Sequence, residues 1–167
     1  MNANPRVMEY FPSILSPEES VALMKKLSAA ITDQGWGLWA MEEKSSHHCL
    51  GFTGLNRVTD ELPFGPAVEI GWRLSDQYWG KGYATEAAQK TLEFAFEKLQ
   101  IDEIVSFTAV INGKSRAVME RIGMKNSNNN FMHPKITDGH RLKEHVLYTI
   151  SRRQWLERDV HDDLKKS

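Results

Sequence analysis

The chain has 167 residues, of which 41% are hydrophobic and 26% are charged, and its formal net charge is -1. These values are ordinary for one soluble globular domain, and the near-neutral charge gives no preference for nucleic acid or for an anionic membrane surface. The single cysteine, Cys49, excludes an internal disulfide framework, and the lack of a membrane-length apolar run or a signal-peptide layout favours a cytoplasmic protein.

The first part of the chain predicts a helix followed by a strand hairpin. Ser16 before Pro17, with Glu19 three residues after the serine, is a helix-start pattern, and apolar residues at helical spacing extend the helix to about Gly35. We interpret Cys49 as a small core residue. The predicted strands cover residues 36–43 and 50–58, and residues 45–48 connect them. Residues 60–66 are predicted to form the loop that follows.

An alternating strand and a strongly periodic helix form the middle of the chain. The two predicted faces of the strand are Val68, Ile70, Trp72 and Leu74 on one side and Glu69, Gly71 and Arg73 on the other. A helix then opens at Tyr83, because apolar residues recur at steps of three and four from Ala84 to Leu99.

The last third of the chain predicts short strands around one helix. The predicted elements are, in order, a strand at 104–110, a helix at 115–122, and strands at 131–134 and 144–150. Gly123 ends the helix, Ser151 and Gln154 cap a final short helix, and the charged tail from Asp159 is expected to be mobile. Strands that alternate with helices around a mixed sheet indicate an α/β or α+β fold.

Gly80 and Gly82 predict a loop that approaches an anionic ligand closely. Glycine has no Cβ, so the backbone can turn sharply there, and the free N–H groups of the helix that opens at Tyr83 favour an anion such as a diphosphate. Two better-known phosphate loops do not fit. The P-loop needs a lysine after its last glycine, whereas Lys81 precedes Gly82. A dinucleotide-binding fingerprint needs a third glycine at the position of Thr85.

The same stretch resembles the acyl-CoA signature of the GNAT superfamily of N-acetyltransferases, in which Gln77, Gly80 and Gly82 take the signature positions. Residues 68–74 resemble the family's fourth strand, and residues 112–124 resemble its second CoA-side motif. The residues of these motifs are most similar to those of the ribosomal-protein-alanine acetyltransferase-like (RimJ/RimL) branch. The resemblance covers most of the chain.

The resemblance implies the GNAT acyl-CoA N-acyltransferase fold. In that fold a mixed, mostly antiparallel sheet has helices on both faces, strands four and five are splayed, and pantetheine lies in the gap between them. One such domain is expected over residues 1–158, with 159–167 as the tail. The chain begins after the family's first strand, so the strand at 36–43 is expected to have one unpaired edge, which favours self-association such as a homodimer.

The resemblance also implies an activity. A family member transfers an acetyl group from acetyl-CoA, bound as co-substrate, to a primary amine of a small molecule or a protein N-terminus, by direct attack in a ternary complex. Two alternatives stay open: a non-catalytic CoA-binding or regulatory module, and an acyltransferase for a different acyl chain or acceptor, such as an antibiotic or a polyamine. The expected CoA-binding residues are Trp72, Leu74, Gln77, Gly80, Lys81, Gly82, Tyr83, Ala84, Thr85, Asn112 and Ser115.

Glu69 is the candidate general base. An alkyl amine is protonated at neutral pH, so a carboxylate of raised pKa has to help deprotonate it, and Glu69 lies on the strand that leads to the glycines. The alternative is a structural carboxylate at a sheet face, paired with Arg57, Arg73 or water.

Ser115 is the candidate proton donor for the departing thiolate. Many relatives use a tyrosine at the position that is Met119 here, and Ser115 can point the same way from the opening turn of the helix. The alternative for Asn112 and Ser115 is plain helix capping, with Asn112 as the N-cap and Ser115 at the third helical position.

Other candidate residues have simpler interpretations. The histidines lack zinc-site spacing, so no metal is expected. His145 lines the acceptor groove in one interpretation and is a hydrogen-bonded sheet histidine in the other. Tyr10 and Phe11 are candidates for the acceptor site, and Lys81 is either a ligand of a CoA phosphate or a solvated lysine.

Overall fold

The computed structural model describes residues 1–59 and 61–164, with side chains through Arg158. Its elements are α1 (Pro17–Gln34), β1 (Leu38–Glu42), β2 (Cys49–Val58), β3 (Ala67–Leu74), α2 (Tyr83–Glu93), β4 (Glu103–Ala109), α3 (Gly113–Arg121), β5 (Lys125–Asn126), β6 (Phe131–Met132), β7 (Glu144–Ser151) and α4 (Arg152–Leu164). The predicted loop at 60–66 includes Asp60, which lies outside the described residues. The predicted mobile tail overlaps the end of α4, and its last three residues, 165–167, also lie outside them.

Local side-chain caps set the ends of the first helix. The Ser16 hydroxyl accepts from the Glu19 N–H at 3.2 Å, and the Glu19 carboxylate accepts from the Ser16 N–H at 2.7 Å. Gly35 follows the helix with a φ of 79°, and its N–H donates to the Ile31 carbonyl. The predicted capping box and glycine stop are therefore confirmed.

The sheet is mixed and mostly antiparallel, as expected. Its strand order is β1-β2-β3-β4-β7-β5, β6 pairs with β7 as well, and β3 and β4 form the parallel pair among the described strands. β1 lies at one end of this order, in agreement with the expected unpaired edge; self-association there stays a prediction. The two-residue strand β5 was missed because so short a segment has no readable period.

The alternation along β3 divides the sheet into a core face and a second face. Ile70 packs with Leu92 of α2, Met119 of α3 and Trp155 of α4 in one hydrophobic cluster. The residues of β3 between these core positions point to the opposite face, which the first twelve residues partly cover.

Two expectations about the core were wrong. Cys49 is exposed, because it is the first residue of β2 beside the hairpin connection. The predicted helix from Tyr83 to Leu99 is α-helical only to Glu93 and continues as a π-helical turn, Phe94–Lys98. The wider turn keeps the adjacent Ala95 and Phe96 both buried.

Strands β3 and β4 are splayed, as the resemblance implied. Their register contains the single pair Glu69 and Val105, and the Ser106 hydroxyl donates to the Ile70 carbonyl at 2.9 Å. β3 then continues to Leu74 beside β2 alone, without a register shift. A gap therefore opens between β3 and β4 from Gly71 onward.

The packing of α2 against the sheet gives a testable prediction for stability. Leu92 is 0% exposed, so Leu92→Ala is expected to lower the free energy of unfolding by about 3 kcal/mol through the cavity it leaves. Urea denaturation would measure this change. In the control Met24→Ala, where the side chain is 60% exposed, the same measurement is expected to move by no more than about 0.5 kcal/mol. Equal losses in both variants would contradict the assigned core.

Candidate active site

One cavity of about 1470 Å³ runs through the gap between β3 and β4. Its wall contains Ile70 and Trp72 from the core face of β3 and also Glu69 and Arg73 from the other face. The first turn of α2, the first turn of α3 and the segment that includes Tyr10 also contribute to the wall, as do residues of β2, β4 and β7. The cavity therefore joins the two faces of the sheet.

The backbone of β3 presents hydrogen-bonding groups to this gap. The Ile70 carbonyl faces β4, where it accepts from Ser106, whereas the Ser75 N–H faces β2 and donates to Leu50. Alternate residues of a strand direct their N–H and C=O to the same edge, so Trp72 and Leu74 also face the gap. An extended ligand chain there can pair with Trp72 and Leu74 as an added strand would.

The loop that contains Gly80 and Gly82, which we call the glycine loop, forms an open concave end of the cavity. Gly80 and Gly82 have φ values of 74° and 86°, and a Cβ built on either residue would meet no protein atom within 4 Å. Gly82 is the N-cap of α2 and makes no side-chain hydrogen bond to the first turn. The N–H groups at this helix start can therefore bind an anion such as a diphosphate, which is the group the sequence predicted here.

Lysines and aromatic rings flank the glycine loop. The Lys114 ammonium lies 4.2 Å from the centroid of Trp79, and the Lys81 ammonium lies 5.6 Å from the centroid of Tyr78. Trp79 itself is fixed, because its ring N–H donates to the Leu74 carbonyl at 3.0 Å. The two ammonium groups beside this loop can pair with the phosphates of a ligand.

Most of the residues predicted for CoA binding lie together in the cavity wall. Gln77 and Lys81 are exposed and lie beside the wall in sequence rather than in it. Their contact with CoA stays a prediction. The predicted residues in the wall are Trp72, Leu74, Gly80, Gly82, Tyr83, Ala84, Thr85, Asn112 and Ser115.

Glu69 lies where the two strands begin to separate. Burial of the carboxyl raises the pKa of Glu69 to about 7, and a hydrogen bond from Asn56 at 3.5 Å acts in the opposite direction. The side chain still keeps some exposed surface because it lines the cavity. Among the described residues neither Arg57 nor Arg73 forms an ion pair with Glu69, so the alternative pairing with an arginine is wrong.

The start of α3 is capped as the simpler interpretation expected. The Asn112 side-chain oxygen accepts from the Ser115 N–H at 3.2 Å, and its amide donates to the Thr108 hydroxyl at 2.9 Å. The Ser115 hydroxyl is not used by this cap and lines the cavity. Met119 is 1% exposed in the core, so that position supplies no group to the cavity.

The part of the cavity that faces away from α2 contains residues that sequence reasoning missed. Arg73 was considered only as a partner of Glu69, and Phe52, Phe107 and His133 were not assigned to the site, although all four line it. The alternation of β3 was the available signal for Arg73, because it places Arg73 on the same face as Glu69.

His145 is a strand residue of β7 whose ring Nδ1 lies 3.4 Å from the Lys143 carbonyl, as the second of its two interpretations expected. It also lines the cavity, and its place in an acceptor groove stays a prediction. The centroid of the His145 ring lies 4.8 Å from the centroid of the His133 ring. Burial lowers the pKa of His145 to about 4, and the neighbouring His133 acts in the same direction. His145 is therefore a neutral imidazole at neutral pH.

The described part of the chain has neither a metal-binding cluster nor a helix suited to cross a membrane. Among the described side chains, those of residues 1–59 and 61–158, no group of three or more His, Cys, Asp or Glu is arranged to hold a metal ion. Within residues 1–59 and 61–164 no helix has the length and apolarity needed to cross a membrane.

The glycine loop gives a testable prediction for ligand binding. Gly82→Glu is expected to weaken acetyl-CoA binding at least about a hundredfold, because the new carboxylate fills and repels the diphosphate position. Isothermal titration calorimetry would measure the dissociation constant. Gly139→Glu is the matched control, since Gly139 has a similar φ of 78° and open space around it but lies outside the wall of this cavity. Unchanged affinity in Gly82→Glu would exclude this loop as the diphosphate site.

Comparisons with known proteins agree with this geometry. The family model for the "Acetyltransferase (GNAT) domain" matches residues 1–125. The chain is 38% identical to FsC-acetyl coenzyme A-N(2)-transacetylase of Aspergillus fumigatus over 94 residues, which are 53% of this chain and 38% of that protein. It is 35% identical to the putative ribosomal N-acetyltransferase YdaF of Bacillus subtilis over 92 residues, which are 53% of this chain and 47% of that protein.

A solved structure extends the likeness to the fold. The crystal structure of a GNAT-family acetyltransferase from Bacillus anthracis matches with a TM-score of 0.74 at 25% identity, covering 91% of this chain and 85% of that one. The chain spans less than half the length of the two curated relatives above. Since the family model covers most of the sequence, including β3, the glycine loop and α3, the chain belongs to the GNAT acetyltransferase family.

Proposed function

We propose that the chain is an acetyl-CoA-dependent N-acetyltransferase that acts on a primary amine of a small molecule or a protein N-terminus. The observation that carries this proposal is the continuous cavity from the glycine loop to Glu69. A carboxylate of raised pKa lies at one end, and an anion-binding helix start lies at the other. The names of the relatives, an acetyl coenzyme A transacetylase and an N-acetyltransferase, support the same reaction.

The residues present fit acetyl-CoA in three places. The N–H groups at Gly82 and the start of α2 suit the diphosphate, the edge of β3 at Trp72 and Leu74 suits the pantetheine amides, and the region around Ser115 suits the sulfur. When bound, acetyl-CoA supplies the acetyl group as a thioester. The acceptor amine then enters from the opposite face, past Glu69, and both substrates are present together.

The proposed mechanism gives one task to each group. Glu69 takes a proton from the acceptor amine, directly or through water, so that the nitrogen lone pair can attack the acetyl carbon. The Trp72 N–H donates to the oxygen on which negative charge develops, since it faces the gap. As the carbon–sulfur bond breaks, the Ser115 hydroxyl delivers a proton to the departing sulfur, and the proton that the nitrogen loses on becoming an amide returns to Ser115 through water. Glu69 and Ser115 thus act on opposite sides of the reacting carbon.

The proposed base gives a prediction for pH dependence. With a pKa of about 7, Glu69 is protonated below that pH and gains its charge as the pH rises through it, so turnover should rise with pH across this range. Glu69→Gln is expected to lower kcat by about a hundredfold and to remove this inflection, while acetyl-CoA affinity is kept. Thiol release followed across pH would measure both effects.

Glu97→Gln is the control for this variant, because Glu97 is exposed on the π-helical turn and lies outside the cavity wall. It is expected to retain the wild-type pH profile. An unchanged kcat and profile in Glu69→Gln would remove Glu69 from the mechanism. Tight binding of CoA without turnover of any amine by the wild-type chain would favour the non-catalytic module instead.

The proposed acid gives a second prediction. Ser115→Ala is expected to lower kcat by about a hundredfold with little change in acetyl-CoA affinity, because the N-cap uses the backbone N–H of Ser115, which alanine keeps. Rapid-quench and steady-state assays would measure the loss, with Ser28→Ala on the exposed side of α1 as the control. A Ser115→Ala enzyme with full activity would leave proton delivery to solvent.

A further inference from the structure

Arg73 occupies an unusual position for a charged side chain. Its guanidinium carbon lies 4.0 Å from the ring centroid of Phe11 and 5.2 Å from that of Phe52, the residue opposite Arg73 in the β2–β3 register. All three residues line the cavity on the face that carries Glu69. The two aromatic rings hold the planar guanidinium in place, because Arg stacks on aromatic faces.

The hydrogen bonds of Arg73 are incomplete within the described residues. One terminal nitrogen donates to the Asn2 side-chain oxygen at 3.1 Å, whereas Nε is buried and has no protein acceptor there. None of the ion pairs among the described residues includes Arg73, and the neighbouring Asp76 is paired with Arg6 at 3.1 Å and accepts from Asn4 at 3.0 Å. A partly buried guanidinium without a carboxylate partner is costly to the fold unless something else binds it.

Burial lowers the pKa of Arg73 to about 10, so the side chain still carries its charge at neutral pH. Among the described residues of the wall, Glu69 is the one carboxylate on this face. Burial raises the pKa of Glu69 to about 7, so the side chain is only partly ionised at neutral pH. Lys135 also lines the wall, but its ammonium is paired with the Glu61 carboxylate at 2.8 Å, so Arg73 is the cation of this face without an ion-pair partner among the described residues. His133 and His145 add neutral rings, since burial lowers the pKa of both. This half of the cavity is therefore suited to an acceptor that carries negative charge and is poorly suited to a polycation.

We propose that the acceptor is an amine that also bears a carboxylate, and that Arg73 binds this carboxylate. The inference rests on the proposed function, because it names the class of acceptor for the same site. Because Nε is buried, the terminal guanidinium nitrogens are the donors that a carboxylate in the cavity can reach, and their N–H groups match its two oxygens.

The distance along β3 sets the length of the acceptor. Glu69 and Arg73 are four residues apart on one face, which places their Cα atoms about 13 Å apart. The two side chains can lean toward each other and shorten the span, but a single α-amino acid is too short to bridge it. A linear ω-amino acid of medium length or a short peptide, which extends about 3.5 Å per residue, has the required reach.

The test compares linear ω-amino acids of increasing chain length with the amides of the same acids. Each probe is titrated calorimetrically into the CoA-saturated chain and is also assayed for acetylation with acetyl-CoA. The acids are expected to bind at least about tenfold more tightly than their amides once the chain is long enough, and spermidine is expected to bind weakly. The amide keeps the shape of the acid and removes its charge.

Variants of Arg73 decide whether this residue is responsible. Arg73→Gln is expected to reduce the acid-to-amide ratio of affinities to about one, and Arg73→Lys is expected to retain part of it, since charge remains but the fork is lost. Arg57→Gln is the matched control, because Arg57 bonds Gln34 and lies outside the cavity wall. Acetyl-CoA affinity and the thermal unfolding midpoint verify that each variant is folded.

The outcomes distinguish a carboxylate site at Arg73 from the proposed acetyl transfer. Equal binding of acids and amides by the wild-type chain, or an unchanged ratio in folded Arg73→Gln, would overturn the role of Arg73. Preferential binding of acids that depends on Arg73, without acetylation of any probe, would support the carboxylate site and count against the proposed acetyl transfer. Preference and acetylation together, both sensitive to Arg73, would support both.

Discussion

The parallel strands β3 and β4 pair at Glu69 and Val105 and then separate, and the candidate site depends on this separation. Backbone N–H and C=O groups need hydrogen-bond partners, and a strand that leaves its neighbour exposes a row of them. Trp72 and Leu74 present such groups to the gap. The sheet thereby offers an extended ligand the same pairing that β4 would have made, without any dedicated side chain.

The glycine loop is useful only because rigid elements hold both of its ends. β3 leads into it and is paired with β2 along its whole length, while α2 leaves it and buries Ala88 and Leu92 in the main hydrophobic cluster. The helix start is therefore fixed relative to the gap. An anion bound at Gly82 and a chain paired along β3 belong to one continuous binding path.

The features that follow from local chemistry could be predicted from the sequence. The capping box at Ser16, the alternation of β3, the start of α2 at Tyr83 and the capping role of Asn112 each depend on residues close together in the chain. The fold class also followed, because the stretch around Gly80 carries a specific resemblance. Long-range neighbours could not be read in this way. The pairing of Arg73 with Phe11 joins residues far apart in the chain, and the exposure of Cys49 depends on where β2 begins beside the hairpin.

A single strand, β3, contributes to the hydrophobic core and to both halves of the cavity. The side chains of its even-numbered residues, such as Ile70, enter the hydrophobic cluster, and the backbone groups of the same residues face the gap. The side chains of its odd-numbered residues, Glu69 and Arg73, enter the other half of the cavity without a salt-bridge partner among the described residues.

Two partly buried, unpaired charges lower stability, and the apolar packing on the opposite side of the same strand offsets that cost. Since the odd and even positions are fixed relative to one another by the pleat, a ligand aligned on the backbone of β3 is aligned with Glu69 as well. In the proposed reaction, the geometry therefore follows from the alternation of one strand rather than from flexible loops.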